Sequence, residues 1–199
     1  MEKIYDKIIL VTAPSGAGKT SIIHHLIGKF PQLAFSVSAT TRKPRDNEKE
    51  GKDYYFISEE DFRHKIHRKE FLEWEMVYEG KYYGTLKDEI ERIWNGKKVP
   101  ILDIDVQGAI HVQQQYPVNT FSLFIQPPSE EELRKRLQMR GSETLESLQA
   151  RVNKSAFELT FKSHFENVVV NKDFDTACRD AEKIISTFLN GNNQSAHLP

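Results

Sequence analysis

Short runs of apolar residues recur along the chain and define the predicted fold. The first run, Ile8-Ile9-Leu10-Val11, lies just before a segment that contains Pro and Gly. Similar runs occupy 33–37, 99–102, 121–125 and 168–170. Continuous apolar runs of this length are typical of strands that are buried on both faces. Because helical patterns separate several of the runs, we predict an α/β protein with a doubly wound, parallel sheet of five strands.

Helix starts are also visible in the sequence. After the first strand, apolar residues recur with the spacing of one helix face, at Ile22, Ile23, Leu26, Ile27 and Phe30. Ser129 is followed three residues later by Glu132, which is the pattern of a capping box. Ser58, followed by acidic residues and then Phe62, predicts a similar helix start.

Two segments depart from the alternation of strands and helices. The segment 38–96 contains aromatic clusters punctuated by turn residues, and we predict that it forms a small mixed sheet inserted into the core. The segment 128–160 is charged and helical, which suggests a mobile cap. One domain over 1–199 is expected, with its core formed by 6–37, 97–127 and 161–189 and a flexible polar tail at 190–199.

Composition narrows the class of protein. The 199 residues contain 28 Lys and Arg against 29 Asp and Glu, a net charge of −1 that does not favour nucleic-acid binding. The single cysteine, Cys178, excludes an intrachain disulfide and a Cys-cluster zinc site, and is expected to pack within a helix. No apolar run is long enough for a membrane span, and the charged N-terminus does not resemble a signal peptide. A cytoplasmic protein with no membrane or nucleic-acid partner is expected.

A glycine-rich loop follows the first predicted strand and opens a predicted helix, the context that a P-loop requires. It comprises Ala13, Pro14, Ser15, Gly16, Ala17, Gly18, Lys19 and Thr20. Backbone N–H groups and the helix N-terminus would surround a nucleotide phosphate, with Lys19 at the β- and γ-phosphate oxygens and Thr20 at Mg²⁺. The strict pattern has Gly where this chain has Ala13, so that residue has ordinary dihedrals or the loop is strained. The alternative is a glycine-rich helix entry without a ligand.

Two aspartates follow the strand at 99–102. Strand alternation predicts that Asp103 and Asp105 share one face, at the carboxyl end of a parallel strand where ligands bind. A P-loop needs a carboxylate near Mg²⁺, and we expect Asp103 to be that metal ligand. The alternative is that one of the two aspartates caps the loop that follows.

A P-loop by itself is compatible with a GTPase, an ATPase motor or a small-molecule kinase. The segment Asn171-Lys172-Asp173-Phe174 is one residue short of the guanine-binding motif of GTPases, which disfavours the first class. The motifs that discriminate further are Thr40-Thr41-Arg42-Lys43-Pro44-Arg45, Gly51-Lys52-Asp53-Tyr54, Glu73-Trp74, Tyr82-Tyr83-Gly84 and the segment 102–108, Leu-Asp-Ile-Asp-Val-Gln-Gly.

With this combination of motifs, the chain resembles the guanylate kinase family over about residues 6–189. The resemblance implies transfer of the γ-phosphate of ATP to GMP or dGMP, giving ADP and GDP in purine nucleotide metabolism. It implies Mg²⁺, bound with ATP, as the cofactor. It also implies that 38–96 is the GMP-binding region and that 128–160 is a lid. The sequence does not decide between a monomer and a homo-oligomer.

By the same resemblance, a phosphate clamp for GMP consists of Arg42, Arg45, Tyr54 and Tyr83. Two planar guanidinium groups suit a dianionic phosphate, and two phenols add hydroxyl donors. The alternative for the arginines is a solvated turn, and the alternative for the tyrosines is a role as sheet aromatics.

The resemblance assigns guanine recognition to Ser38, Glu73, Thr85 and Asp105. Guanine presents N1–H and N2–H₂ as donors and O6 as an acceptor, so a carboxylate at Glu73 and a hydroxyl at Thr85 would complement it. Adenine lacks these donors and would leave Glu73 unpaired. The alternatives are a surface strand position for Glu73 and a helix N-cap for Thr85.

The remaining implied residues lie in the lid and beside the last strand. Arg136, Arg140 and Arg151 would contact the transferring phosphoryl group and, with Lys19 and Arg42, form the catalytic set. The alternative for Arg136 and Arg140 is a solvated basic helix face. Asn171 matches the region that binds ATP on its adenine side.

Two other functions are compatible with parts of this pattern. One is a different small-molecule kinase on the same scaffold, such as a ribose bisphosphate kinase, which should lack the residues that recognise guanine. The other is a non-catalytic guanylate kinase-like module that binds peptides, which should have a degraded P-loop, whereas this chain keeps Lys19 and Thr20.

Overall fold

The computed structural model describes residues 6–139 and 145–190. Its strands are β1 (Ile8–Thr12), β2 (Leu33–Phe35), β3 (Ala39–Thr40), β4 (Tyr55–Phe56), β5 (Phe71–Tyr78), β6 (Lys81–Leu86), β7 (Val99–Asp103), β8 (Thr120–Gln126) and β9 (Asn167–Val170). Its helices are α1 (Lys19–Lys29), α2 (Glu59–His67), α3 (Lys87–Asn95), α4 (Val106–Gln115), α5 (Glu130–Gln138), α6 (Leu145–Leu159) and α7 (Phe174–Leu189), with a 3₁₀ turn at Lys162–His164.

A five-stranded sheet forms the centre of the fold and confirms the predicted class. Its strand order is β2-β7-β1-β8-β9, and every neighbouring pair is parallel. The five strands coincide with the five apolar runs of the sequence. The second strand ends at Phe35 rather than at residue 37, because the N–H of Val37 donates to the buried Glu89 carboxylate (3.0 Å).

Alternate residues of β1 point into two separate apolar layers. Ile9 and Val11 pack with α1 and α7, in the cluster that also buries Cys178. Ile8 and Leu10 pack with α3 and α4 on the other face. Helix α3 closes the segment 38–96, yet its buried Ile90 belongs to this second layer. The core thus fixes the end of β1, from which the glycine-rich loop departs.

A second, four-stranded sheet confirms the predicted mixed insert. Its order is β4-β3-β6-β5, with β3 and β4 parallel and the other two pairs antiparallel. Its small core stacks Phe62 of α2 on Phe71 of β5, with ring centroids 4.3 Å apart. Ser58 caps α2 by accepting from the N–H of Asp61 (3.0 Å), as predicted.

Helices α5 and α6 lie over the glycine-rich loop. Ser129 caps α5 by accepting from the N–H of Glu132 (3.1 Å), which confirms the predicted helix start, while the Glu132 carboxylate binds Arg136 (3.2 Å). Leu133 and Leu137 of α5 pack with Val152 of α6 and face Gly16. The lid-like position of this helix pair follows from these contacts.

Some sequence expectations concern residues that the structure does not describe. Arg140 lies within 140–144, and all of the predicted tail except residue 190 lies within 191–199. Within the described ranges, no helix combines the length and the apolar character that a membrane crossing requires.

Candidate active site

The loop between β1 and α1 has the backbone geometry of an anion-binding loop. Gly16 and Gly18 both have a φ of +90°, a conformation that side-chain-bearing residues rarely adopt. Gly18 is the N-cap of α1, so the helix N-terminus opens directly onto the loop. In the described part of the chain, the non-glycine residues with positive φ are Lys69 and Lys97. Ala13 therefore has ordinary dihedrals, and its replacement of the usual glycine causes no strain.

Three side chains converge at the start of α1. The Lys19 ammonium lies 2.8 Å from Oδ1 of Asp103 and donates to the carbonyl of Ile104 (2.6 Å). The Thr20 hydroxyl donates to Oδ2 of Asp103 (3.0 Å). Parallel pairing of β7 with β1 produces this arrangement, because it brings Asp103 opposite Val11 at the carboxyl edge of the sheet.

This donor set suits Mg²⁺ rather than a tightly held metal. Thr20 and Asp103 offer one hydroxyl and one carboxylate, hard oxygen ligands of the kind that Mg²⁺ accepts alongside water and phosphate. No group of three or more His, Cys, Asp or Glu side chains able to bind a metal occurs among the described residues. An ion here would depend on nucleotide oxygens for most of its coordination.

Asp105 has a different position from the one that alternation predicted. Strand β7 ends at Asp103, so the two aspartates are not on one strand face. Asp105 is instead the N-cap of α4, and its Oδ1 accepts from the N–H of Gly108 (2.8 Å). The capping alternative is thus correct for Asp105, although both aspartates line the same cavity.

The predicted clamp residues are only partly assembled. The Arg42 guanidinium donates from Nε to the Tyr83 hydroxyl (3.1 Å) and lies 4.8 Å from the Tyr54 ring centroid. Its two terminal nitrogens bind both carboxylate oxygens of Glu48, at 2.5 and 2.6 Å. The Arg45 side chain is exposed, while its backbone N–H donates to Glu48 (2.9 Å). Arg42, Tyr54 and Tyr83 are therefore brought together, whereas the exposed Arg45 side chain is not among them.

Glu48 is a functional candidate that the sequence analysis missed. The Arg42 guanidinium holds the pKa of this carboxyl well below its usual range, at about 2. An internal anion thus occupies the terminal N–H groups of Arg42, which are the groups best suited to bind a phosphate. Glu48 lies six residues from Arg42 across a turn, a separation with no periodic signal in sequence.

A buried carboxylate and a buried hydroxyl face each other on strands β5 and β6 of the four-stranded sheet. Glu73 is 7% exposed and Thr85 is fully buried. The Thr85 hydroxyl donates to Oε1 of Glu73 (2.6 Å), because the two residues face each other across the β5–β6 ladder. Leu86, not Thr85, is the N-cap of α3, which excludes the helix-cap alternative. The burial of Glu73 likewise excludes the surface-strand alternative.

Burial gives Glu73 unusual acid–base behaviour. Desolvation raises the pKa of this carboxyl from its ordinary value to about 7, with a smaller upward contribution from Asp105. The Thr85 hydrogen bond and the Lys19 charge act in the opposite direction. A methyl group added at Gly108 would lie 2.9 Å from Oε2 of Glu73, so the glycine allows α4 to approach the carboxylate closely.

One cavity of about 370 Å³ extends from the glycine-rich loop to Glu73, while Thr85 and Arg42 contact lining residues from behind. Its lining runs from the glycine-rich loop, past Asp103 and Asp105, to Ser38, Tyr54, Glu73 and Tyr83. Its volume falls within the range of small-molecule sites. The site thus has a phosphate-binding loop at one end and a buried, hydrogen-bonding pocket at the other, with no protein layer between them.

The comparisons with known proteins agree with this geometry. The guanylate kinase family model matches residues 5–188. The chain belongs to the guanylate kinase family.

Relatives of this family cover nearly the whole chain. A guanylate kinase of Bacteroides fragilis is 44% identical over 92% of this chain and 90% of its own length. That of Bacteroides thetaiotaomicron is 42% identical over 96% of this chain and 93% of its own length. The crystal structure of guanylate kinase from Anaplasma phagocytophilum matches with a TM-score of 0.73 and 31% identity, over 91% of this chain and 85% of that one.

Of the three arginines that the resemblance assigned to phosphoryl transfer, Arg136, Arg140 and Arg151, the two that the structure describes lie on different helices. Arg136 donates from Nη2 to the carbonyl of Asn171 (3.1 Å). The side chain of Asn171 in turn donates to the carbonyl of Ala17 (2.7 Å), so α5 is linked to the P-loop through Asn171. Arg151 lies on α6, and Arg140 lies outside the described residues.

The sequence analysis also missed a contact between α6 and the glycine-rich loop. The N–H of Ser15 donates to the carboxylate of Glu158 (3.4 Å), and the Ser155 hydroxyl donates to the carbonyl of Ser15 (3.4 Å). Burial raises the pKa of Glu158. The spacing of Ser155 and Glu158 places both on one face of α6, but a polar helix face gives no indication of its partner.

Proposed function

We propose that this protein transfers the γ-phosphate of ATP to GMP, forming ADP and GDP. The observation that carries the proposal is the continuity of a single cavity between the P-loop and the buried Glu73, which Thr85 holds by a hydrogen bond. Membership of the guanylate kinase family, with relatives matched over more than nine-tenths of the chain, supports the same reaction. The chain is an ATP:GMP phosphotransferase.

The donor side binds the phosphates of ATP. Backbone N–H groups around Gly16 and Gly18 point at the β-phosphate, and Lys19 contacts the β- and γ-phosphate oxygens. Thr20 and Asp103 would bind the Mg²⁺ of MgATP, whose charge offsets that of the phosphates. Asp103 becomes available for the ion when Lys19 turns to the phosphate oxygens and the Thr20 hydroxyl oxygen turns to the same ion.

The acceptor side binds the phosphate of GMP. Arg42 exchanges its contacts with Glu48 for phosphate oxygens, while Tyr54 and Tyr83 add hydroxyl donors. The exposed Arg45 side chain joins the clamp as the phosphate enters. No general base is required, because the attacking phosphate oxygen is already anionic.

The base pocket recognises guanine through hydrogen bonding. The Glu73 carboxylate accepts from N1–H and N2–H₂, with Asp105 and Ser38 at the edge of the same pocket. The Thr85 hydroxyl has one proton, which it donates to Glu73 without ligand. When guanine supplies donors to Glu73, that proton turns to O6. Adenine would leave the carboxylate unpaired in a buried site, which costs several orders of magnitude in selectivity.

Several finer assignments belong to this proposal. Arg136, Arg140 and Arg151 neutralise charge on the transferring phosphoryl group, and Asn171 contacts ATP. The core comprises 6–37, 97–127 and 161–189, the GMP-binding region 38–96 and the lid 128–160. We place the protein in the cytoplasm, without nucleic-acid or membrane partners.

The alternatives lack a supporting observation. A kinase for another acceptor would have no reason to bury a carboxylate against a hydroxyl in the acceptor pocket. A peptide-binding module would not need Lys19 and Thr20 arranged around Asp103.

The first test is a coupled assay of ADP release with MgATP and, in turn, GMP, AMP, CMP, UMP and no acceptor. Turnover with GMP at least a hundredfold above that with AMP is the expected result, because guanine presents two adjacent donors, N1–H and N2–H₂, to the ionised Glu73, whereas adenine presents an N1 acceptor. No GMP-dependent turnover while ATP still binds would favour a kinase for a different acceptor. Loss of ATP binding as well would favour the binding module.

The pH dependence of GMP use should reflect Glu73. Its carboxyl must be ionised to accept from guanine, and its pKa in the free protein is about 7. We therefore expect kcat/KM for GMP to rise with pH up to about 7, by up to tenfold per unit, and then to level off. The phosphate of GMP also titrates, near pH 6. In Glu73→Gln only that lower transition should remain, and an unchanged profile in this variant would contradict the assignment.

A further inference from the structure

A second glutamate on β5 faces the same cavity as Glu73. Glu75 follows Glu73 by two residues, and alternate residues of a strand share one face. In the β5–β6 ladder, Glu73 is opposite Thr85 and Glu75 is opposite Tyr83. Both glutamates line the nucleotide cavity. Glu75 therefore lies beside the transition from the base pocket to the phosphate clamp.

One carboxylate oxygen of Glu75 is left without a protein partner. Its Oε2 atom is buried and has no hydrogen bond to any residue that the structure describes. A buried, unpaired carboxylate oxygen is unfavourable in free energy, and a ligand that brings a donor removes that cost. The position therefore favours a ligand with an O–H or N–H group directed at Glu75.

The proposed function, on which this step rests, determines which part of GMP carries that donor. The guanine base is not the partner of Glu75, because its edge is bound by Glu73 and Thr85. The phosphate is not the partner either, because it is an anion and the Glu75 carboxylate would repel it. A rise of about 3.3 Å per residue places Glu75 about 7 Å along β5 from Glu73, toward Tyr83 and the phosphate clamp. The sugar lies between base and phosphate. Its 2′-hydroxyl is next to the base-bearing carbon and farther from the phosphate than the 3′-hydroxyl.

We propose that Glu75 accepts a hydrogen bond from the ribose 2′-hydroxyl and makes the enzyme prefer GMP over dGMP. A hydrogen bond to a charged, buried acceptor corresponds to about tenfold to a hundredfold in specificity. Glu75 is thus a specificity residue for the sugar, next to the residue that recognises the base.

An alternative role for the Glu75 carboxylate is a contact with helix α6 instead of a hydrogen bond with the ribose. Glu75 and Lys154 of α6 line one small cavity, and Lys154 lies 4.0 Å from Glu158. If Glu75 served to attract the lid through Lys154, its removal would impair GMP and dGMP equally, because both substrates require the same lid. The ratio of the two substrates distinguishes the two roles.

The experiment measures kcat/KM for GMP and dGMP at saturating MgATP. The wild type should prefer GMP by about tenfold to a hundredfold, and Glu75→Ala should reduce this preference below about threefold by losing activity with GMP. Turnover of dGMP should change less than twofold. Glu75→Gln, which keeps the size and a neutral acceptor, should be intermediate and guards against misfolding of the alanine variant.

Two further variants serve as controls. Glu73→Gln should lower GMP and dGMP in parallel, because both carry guanine. Glu91→Gln removes one exposed charge from α3 and should alter neither substrate. Parallel losses in Glu75→Ala, or a preserved GMP preference, would overturn the sugar role while wild-type turnover of GMP upholds the kinase. Wild-type protein that phosphorylates neither substrate would overturn both proposals.

Discussion

Replacement of Lys19 by Met should reduce kcat for GMP phosphorylation by about 10²–10³-fold. In the proposed mechanism the ammonium follows the γ-phosphate as charge develops, and removal of one such preorganised group has an effect of this size. In the free protein, Lys19 also neutralises Asp103 at 2.8 Å. The variant therefore leaves Asp103 with its Thr20 hydrogen bond but without a neutralising cation at the phosphate site, which further weakens MgATP binding. Steady-state kinetics and calorimetric titration with MgATP measure the two effects.

The binding of GMP provides the internal comparison for this variant. Lys19 lies at the donor end of the cavity, so the Kd for GMP should remain within about twofold of wild type. Lys98→Met, which removes an exposed lysine after α3, should leave kcat and both affinities unchanged. A Lys19→Met enzyme with kcat within tenfold of wild type would remove Lys19 from the catalytic set.

The strands and helices of the core could be predicted because each one leaves a signal in its own short stretch of sequence. Each central strand is buried on both faces, so it appears in sequence as a continuous apolar run rather than as an alternating pattern. Helix α1 appears as apolar residues on one face, and its start is marked by the glycines of the loop. These signals need no knowledge of distant residues, and parallel order then follows from the helices between the strands.

Residues of the candidate site could be predicted only where they belong to a contiguous sequence motif whose strand has a known place in the fold. Lys19, Thr20 and Asp103 converge because β7 pairs with β1, which the fold class implies. Asp105 was placed on the wrong element because sequence alternation continued past the end of β7. The alternative, that one of the two aspartates has a capping role, is correct for Asp105, although the element that it caps is helix α4 rather than a loop.

Two carboxylates that bind groups of the predicted phosphate sites, Glu48 and Glu158, could not be predicted from the sequence. Glu48 binds Arg42 across a turn, and Glu158 contacts Ser15 from a helix 143 residues away in sequence. Such pairs depend on tertiary approach, and a glutamate in a polar segment carries no sign of its partner. In this protein both phosphate sites thus contact an internal anion, so nucleotide binding exchanges one set of charge-assisted bonds for another.

Replacement of Glu73 by Gln should lower kcat/KM for GMP by about 10³-fold and leave the Kd for MgATP unchanged. The amide keeps one acceptor but directs N–H groups at the guanine donors, and a buried site with mismatched hydrogen bonds discriminates by several orders of magnitude. Parallel kinetics with AMP should show the selectivity for GMP falling toward tenfold, because a glutamine side chain can pair with adenine as both donor and acceptor.

The thermal stability of Glu73→Gln tests whether burial of the Glu73 carboxyl is what raises its pKa. A carboxyl whose pKa is raised to about 7 by burial favours folding while it is protonated, and that contribution is lost as the pH rises from about 4.5 through 7. Wild-type protein should therefore lose stability over this interval, whereas Glu73→Gln should not, and at pH 8 the variant should unfold at the same temperature or higher. A variant that melts well below wild type at pH 8, or that loses MgATP binding together with GMP turnover, would show that Glu73 supports the fold rather than guanine selection.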